Sequence, residues 1–166
     1  MIIRSETSSD IEAISEVIRT AFQNHPISNH TEQFIVNALR DANALTISLV
    51  AEIEGKVVGH IAFSSVTISD GSLHWYGLGP LSVLPRYQRR GIGKALIQEG
   101  LLLLKALGGQ GCVLVGDPNY YKRLGFRNIP DLVHEGIPQE VFLALSFNEK
   151  TPRGTVVFHK GFLASS

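Results

Sequence analysis

The chain has one cysteine, no net charge and no long hydrophobic run, and each shortage closes off a class of protein. Cys112 has no partner for an internal disulfide, so a cross-linked scaffold is excluded. Its place at the head of the apolar run "CVLV" reads as a small buried side chain. Fifteen basic residues balance fifteen acidic ones, which argues against a nucleic-acid binder with a basic face. The longest aliphatic block, Leu101 to Leu104, ends at Lys105, far short of the ~20 apolar residues of a membrane span. Glu6 and Asp10 interrupt the start before an apolar stretch can build, unlike a secretory leader. The expectation is a soluble, cytoplasmic chain with no nucleic-acid or membrane partner. At 166 residues and 44% hydrophobic content, it should bury a core as one domain over residues 1–166. Metal-ligand spacing is missing too: His25 and His30 flank a proline loop, while His60, His134 and His159 are far apart in sequence. No metal is expected.

What is present alternates between helical and extended patterns. Ser9 three residues before Glu12 reads as a capping box, and Ile11, Ile14, Val17, Ile18 and Phe22 form one stripe, predicting a helix over about 10–22. Phe34, Ile35, Ala38 and Leu39 predict a second helix after a polar turn at Pro26. From Leu45 the chain is rich in β-branched residues and is broken at Glu54-Gly55-Lys56, a hairpin signal. The strand "WYGLGPLSVLP" contains Gly77, Gly79 and Pro80. Proline donates no ladder hydrogen bond, so this strand must be an edge, bulged, or parted from a neighbour there. A long helix should follow and stop at Gly108-Gly109, then a short buried strand. Asp117-Pro118 starts a brief helix ended by Gly125, and "EVFLALSF" and "GTVVFHKGF" read as strands. The fold class is α+β, with about four helices.

Carboxylates are also missing locally. None lies between Gly71 and Gln98, where Arg86, Arg89, Arg90 and Lys94 gather. These cations sit where a strand gives way to a helix. A helix N-terminus presents unpaired N–H groups and partial positive charge, and glycines let an anion approach the backbone. The backbone of Gln88, Arg89, Arg90, Gly91, Ile92 and Gly93 would then converge on a phosphate or pyrophosphate. A merely solvated basic turn is the plainer alternative, but cations opposing the helix dipole cost ~0.3–1 kcal/mol each. The nucleotide-triphosphate loop is absent: Gly93-Lys94 has Gln88 where its first glycine belongs and Ala95 where Ser or Thr belongs. "GLGPLS" lacks the last glycine of a dinucleotide fingerprint and precedes no helix directly.

"QRRGIG", Gln88 to Gly93, resembles the Q/R-x-x-G-x-G/A signature of the GNAT superfamily of acetyl-CoA-dependent N-acetyltransferases. "GDPNYYKRLGF", Gly116 to Phe126, resembles the second GNAT signature, whose tyrosine stands five positions before the phenylalanine; here it is Tyr121. With "GTVVFHKGF", these segments are similar to a branch of small bacterial N-acetyltransferases. The resemblance implies a mostly antiparallel sheet with a splayed parallel strand pair holding acetyl-CoA as cosubstrate. It implies cofactor contacts from the backbone at Leu81 and Val83, from the turn Gln88 to Lys94, and from Asn119. Tyr121 matches the general acid, with packing as its plainer reading; Tyr120 is expected to pack.

The activity so implied is direct transfer of an acetyl group to a primary amine in a ternary complex. The glutamate that many members carry on the fourth strand is missing from "LHWYGLGPL". The base therefore stays open between water, solvent and His74, and a non-catalytic acyl-CoA-binding regulatory module stays open beside the enzyme. The acceptor could be a small amine, an aminoglycoside-like compound, an amino acid or a protein N-terminus. The family places the loop from Phe22 to His30 on its side. A homodimer is an open option.

Overall fold

A computed structural model describes residues 1–26 and 28–166. Strand β1 (Ile2–Ser5) is followed by helices α1 (Ile11–Phe22) and α2 (Glu32–Asp41), then strands β2 (Ile47–Ile53), β3 (Lys56–Ile68) and β4 (Trp75–Val83). Helix α3 (Ile92–Ala106), β5 (Gly111–Val115), α4 (Pro118–Tyr121), β6 (Leu132–Val133), β7 (Phe142–Ser146) and β8 (Gly154–Phe158) complete the order. The sheet runs β1-β2-β3-β4-β5-β7. Its neighbours are antiparallel except β4 and β5. The far end of β3 pairs with β8, which carries the two-residue β6 in parallel. The expected mixed architecture with one parallel pair in the main sheet is therefore present.

Period-two alternation assigns the two faces. Leu49, Ala51, Ile61 and Phe63 face α3 in one cluster, while Val50 and Ala62 meet Ile14, Ile18 and Val36 of the first two helices in another. Phe63, Leu96, Ile97 and Leu104 are fully buried, each worth ~1.5–3 kcal/mol relative to exposure. Gly100 lets α3 settle on the sheet, because a Cβ there would overlap the Phe63 ring.

Most expected boundaries hold within a residue or two. The β2–β3 hairpin turns through Glu54 and Gly55, both at positive φ, as the Glu-Gly-Lys break predicts. The capping box differs. Thr7, not Ser9, begins the first turn: the Asp10 carboxylate accepts the Thr7 backbone N–H at 2.7 Å and its hydroxyl at 3.1 Å. Arg4 also donates to Asp10 at 2.7 Å. The same three-residue spacing occurs twice in the sequence, and the copy whose acid also meets an arginine is the one used. No helix among the described residues is long and apolar enough to cross a membrane.

Candidate active site

The parallel pair β4–β5 is short. Trp75, Tyr76 and Gly77 face Gly111, Cys112 and Val113, and the pairing ends there. Beyond it β5 stays with β7, up to Val115 opposite Phe142, while β4 stays with β3 up to Val83 opposite Gly59. The two strands therefore part. Three β4 steps, from Leu78 to Leu81, lie opposite the two β3 steps between Phe63 and Ile61, so Gly79-Pro80 forms a bulge at the parting. The Gly79–Pro80 peptide is cis.

The ladder decides which backbone groups enter the gap. The Leu84 N–H donates to the Val58 carbonyl at 2.9 Å. Hydrogen-bonded pairs alternate along an antiparallel ladder, so Ser82 bonds back to His60, and Leu81 and Val83 turn their N–H and C=O groups the other way. That side is the gap. The Gln88 side-chain amide donates to the Val83 carbonyl there at 3.0 Å, closing the turn onto the strand end.

The basic turn stands at the same end of the gap. Arg89 and Gly91 both take positive φ, and Gly91 is the N-cap of α3 with no side-chain cap. Ala95 donates to the Gly91 carbonyl, so the N–H groups of Ile92, Gly93 and Lys94 have no partner within the helix. The Gln88 N–H instead reaches the Pro85 carbonyl at 3.4 Å, so Gln88 serves the turn more than the cluster of free amides. Arg89, Arg90 and Lys94 are exposed. Arg90 lies over the Tyr87 ring at 5.3 Å, held near the turn by a cation–π contact. Free amides plus three cations make a site for an anion of high charge density.

Helix α4 faces this turn across the gap. Asp117 caps it, accepting the Asn119 N–H at 2.9 Å, with Pro118 in the first helical position, as the sequence predicts. Asn119 itself is exposed. The Tyr120 hydroxyl reaches to 3.3 Å from where a Gly93 Cβ would stand, so its packing spans the gap to the start of α3. Tyr121 lies edge-on to Tyr120 at 4.9 Å and to Phe126 at 5.8 Å. Burial, with the nearby Tyr120, Cys112 and Asp117, pushes its phenol above the ordinary range, which keeps it protonated at neutral pH. Cys112 is fully buried and its thiol is pushed up by that burial, so it offers no nucleophile to the gap.

A cavity of about 620 Å³ opens where β4 and β5 part. Leu78 and Gly79 of β4 and Val115 of β5 form its inner wall, and Phe158, Phe162 and Leu163 its apolar outer wall. Phe158 comes this close because β4 has a glycine there: a Cβ on Gly77 would stand 2.5 Å from its ring. His134, His159 and Lys160 supply the polar lining. No local signal in the sequence marks these three, since separate segments carry them to one place. His74 is exposed before β4 and lines a different pocket, at the end of the strand away from the gap. The cavity lining includes no described residue of the 22–30 loop, of which Ile27 lies outside the described residues. Among the described residues no three histidine, cysteine or acidic side chains gather as a metal site.

The model of the acetyltransferase (GNAT) domain matches residues 45–128, the span holding β2 to α4 and both signatures. An Escherichia coli protein described as an uncharacterised N-acetyltransferase, YhbS, is 37% identical over 127 residues, covering 76% of this chain and 73% of its own. The crystal structure of E. coli YhbS with CoA superposes with a TM-score of 0.89 at 31% identity, over 99% of this chain and 93% of that one. A GNAT family acetyltransferase from Brucella melitensis in complex with acetyl-CoA superposes with a TM-score of 0.87 at 46% identity, over 97% of each chain.

Proposed function

The chain belongs to the GNAT acetyltransferase family, and from that premise we propose that it passes the acetyl group of acetyl-CoA directly to a primary amine in a ternary complex. The observation that carries the reading is the parting of β4 from β5 beyond Gly77 and Val113. It leaves the backbone of Leu81 and Val83 facing a gap between a basic turn and a half-buried tyrosine. The CoA pyrophosphate binds the N–H groups at the start of α3, with Arg89, Arg90 and Lys94 around it. The pantetheine arm pairs with the Leu81 and Val83 backbone and passes Asn119. An N–H of that edge polarises the thioester carbonyl, a contribution of ~3–4 kcal/mol in comparable oxyanion sites.

The amine nitrogen attacks the thioester carbon, a tetrahedral oxyanion forms, and the C–S bond breaks. The departing sulfur takes the Tyr121 proton. Two relatives of high structural similarity hold acetyl-CoA or CoA, which supports the choice of acyl donor. The missing β4 glutamate favours a second reading, a CoA-binding module without catalysis. The protonated tyrosine and the cavity at the gap favour the enzyme. Thiol release from acetyl-CoA across a panel of amines separates them. Amine-dependent release supports the enzyme, and tight CoA binding with no release on any amine overturns it.

A further inference from the structure

We infer that His134 is the base that takes the proton from the acceptor amine, and that this amine carries one positive charge on an apolar body. The inference rests on the transferase reading and deepens it. The His134 ring is packed between Phe142 at 5.6 Å and Phe158 at 4.9 Å. Its Nδ1 stands 3.0 Å from the Val156 carbonyl. A carbonyl only accepts, so Nδ1 carries the hydrogen and the neutral ring keeps its lone pair on Nε2. This half-buried ring lines the cavity that opens beside Leu78, Gly79 and Val115.

His159, on the same cavity, has the opposite tautomer. Its Nδ1 accepts the Gly161 N–H at 2.9 Å, so a neutral His159 presents an N–H and can only donate. Lys160 brings a cation. His159 and Lys160 are the titratable groups that share the lining with His134, and Glu135, next in sequence, is exposed. No carboxylate is among the lining residues. A polycation would find nothing there to pair its further ammonium groups and would meet Lys160. The apolar wall of Phe158, Phe162 and Leu163 suits a hydrocarbon or aromatic body instead.

The step balances without another reactant. His134 Nε2 takes one proton from the ammonium, directly or through one water, and later releases it to solvent. The freed nitrogen pair forms the C–N bond, the C–S bond breaks, and sulfur takes the Tyr121 proton. The nitrogen's second proton restores the Tyr121 phenol, and its third stays on the amide.

The test compares the wild-type protein with His134→Asn, whose side-chain amide keeps a donor for the Val156 carbonyl but has no Nε2. The probes are 2-phenylethylamine, tryptamine, spermidine and kanamycin. The wild type should use the two aromatic amines at least about tenfold better in kcat/KM. His134→Asn should lower kcat about 10²–10³-fold at neutral pH, recover as alkaline pH frees the amine of its own proton, and bind CoA as before. Wild-type turnover matched by His134→Asn at every pH overturns the base assignment, and a preference for spermidine or kanamycin overturns the acceptor class. A wild type that binds CoA but acetylates none of the four overturns this inference. Silence on a wider panel as well overturns the transferase reading beneath it.

Discussion

The ring of Tyr121 lies against the α-carbon of Gly116, where an added Cβ would stand 2.5 Å from its Cε2. The glycine of "GDPNYY" is therefore the seat of the proposed acid. Tyr121→Phe removes the proton and keeps the packing, and should lower kcat about 10²–10³-fold. Gly116→Ala keeps the phenol but displaces it, and should lower kcat about 10–100-fold. Both should leave the CoA dissociation constant within about twofold, because neither touches the start of α3. Steady-state kinetics with CoA titrations check this, and unchanged turnover in Tyr121→Phe removes the tyrosine from its role.

The basic turn should act on the phosphates alone. Arg90→Ala removes a cation held beside the free amides by Tyr87. It should weaken CoA binding about 3–10-fold at low salt, with the difference shrinking as salt screens the charge. Binding of S-acetylpantetheine, which lacks the phosphates, should not change. Equal losses for the two ligands, read by calorimetry, contradict the pyrophosphate assignment.

His60 should make the fold acid-sensitive. It is fully buried, with Nε2 2.8 Å from the Ser48 hydroxyl and no partner for Nδ1. Burial holds its pKa down at about 4, while an unfolded histidine takes its proton near pH ~6.5. Between these values the unfolded chain binds the proton the folded chain refuses, so stability is full above pH ~6.5 and declines towards pH 4. The loss amounts to about 3 kcal/mol at most. Urea unfolding at pH 7, 5.5 and 4.5 should show this decline in the wild type and a flatter one in His60→Gln. Parallel declines would assign the sensitivity elsewhere.

Much of this arrangement is written locally in the chain. Gly79-Pro80 forbids a regular ladder, and the bulge and the parted strands stand there. Asp117-Pro118 caps α4 because both side-chain chemistries act within three residues. The carboxylate-free basic turn is legible for the same reason. The cavity is not. His134 follows β6 and His159 follows β8, and they meet only because β8 leaves the chain's end to pair with the far part of β3. Nor does spacing show that each imidazole uses Nδ1 for a backbone group, which settles which one keeps a basic Nε2. Thr7 and Ser9 show the same limit on a smaller scale: two equal motifs, decided by the reach of Arg4.

Direct transfer is tested most closely by an initial-rate matrix in which acetyl-CoA and an accepted amine are varied together while free thiol is followed. With Cys112 sealed in the core and Tyr121 held protonated, no acetyl-enzyme should form. Double-reciprocal lines should intersect, and thiol should appear only with amine present. Parallel lines, or a burst of thiol without amine, would contradict attack within a ternary complex.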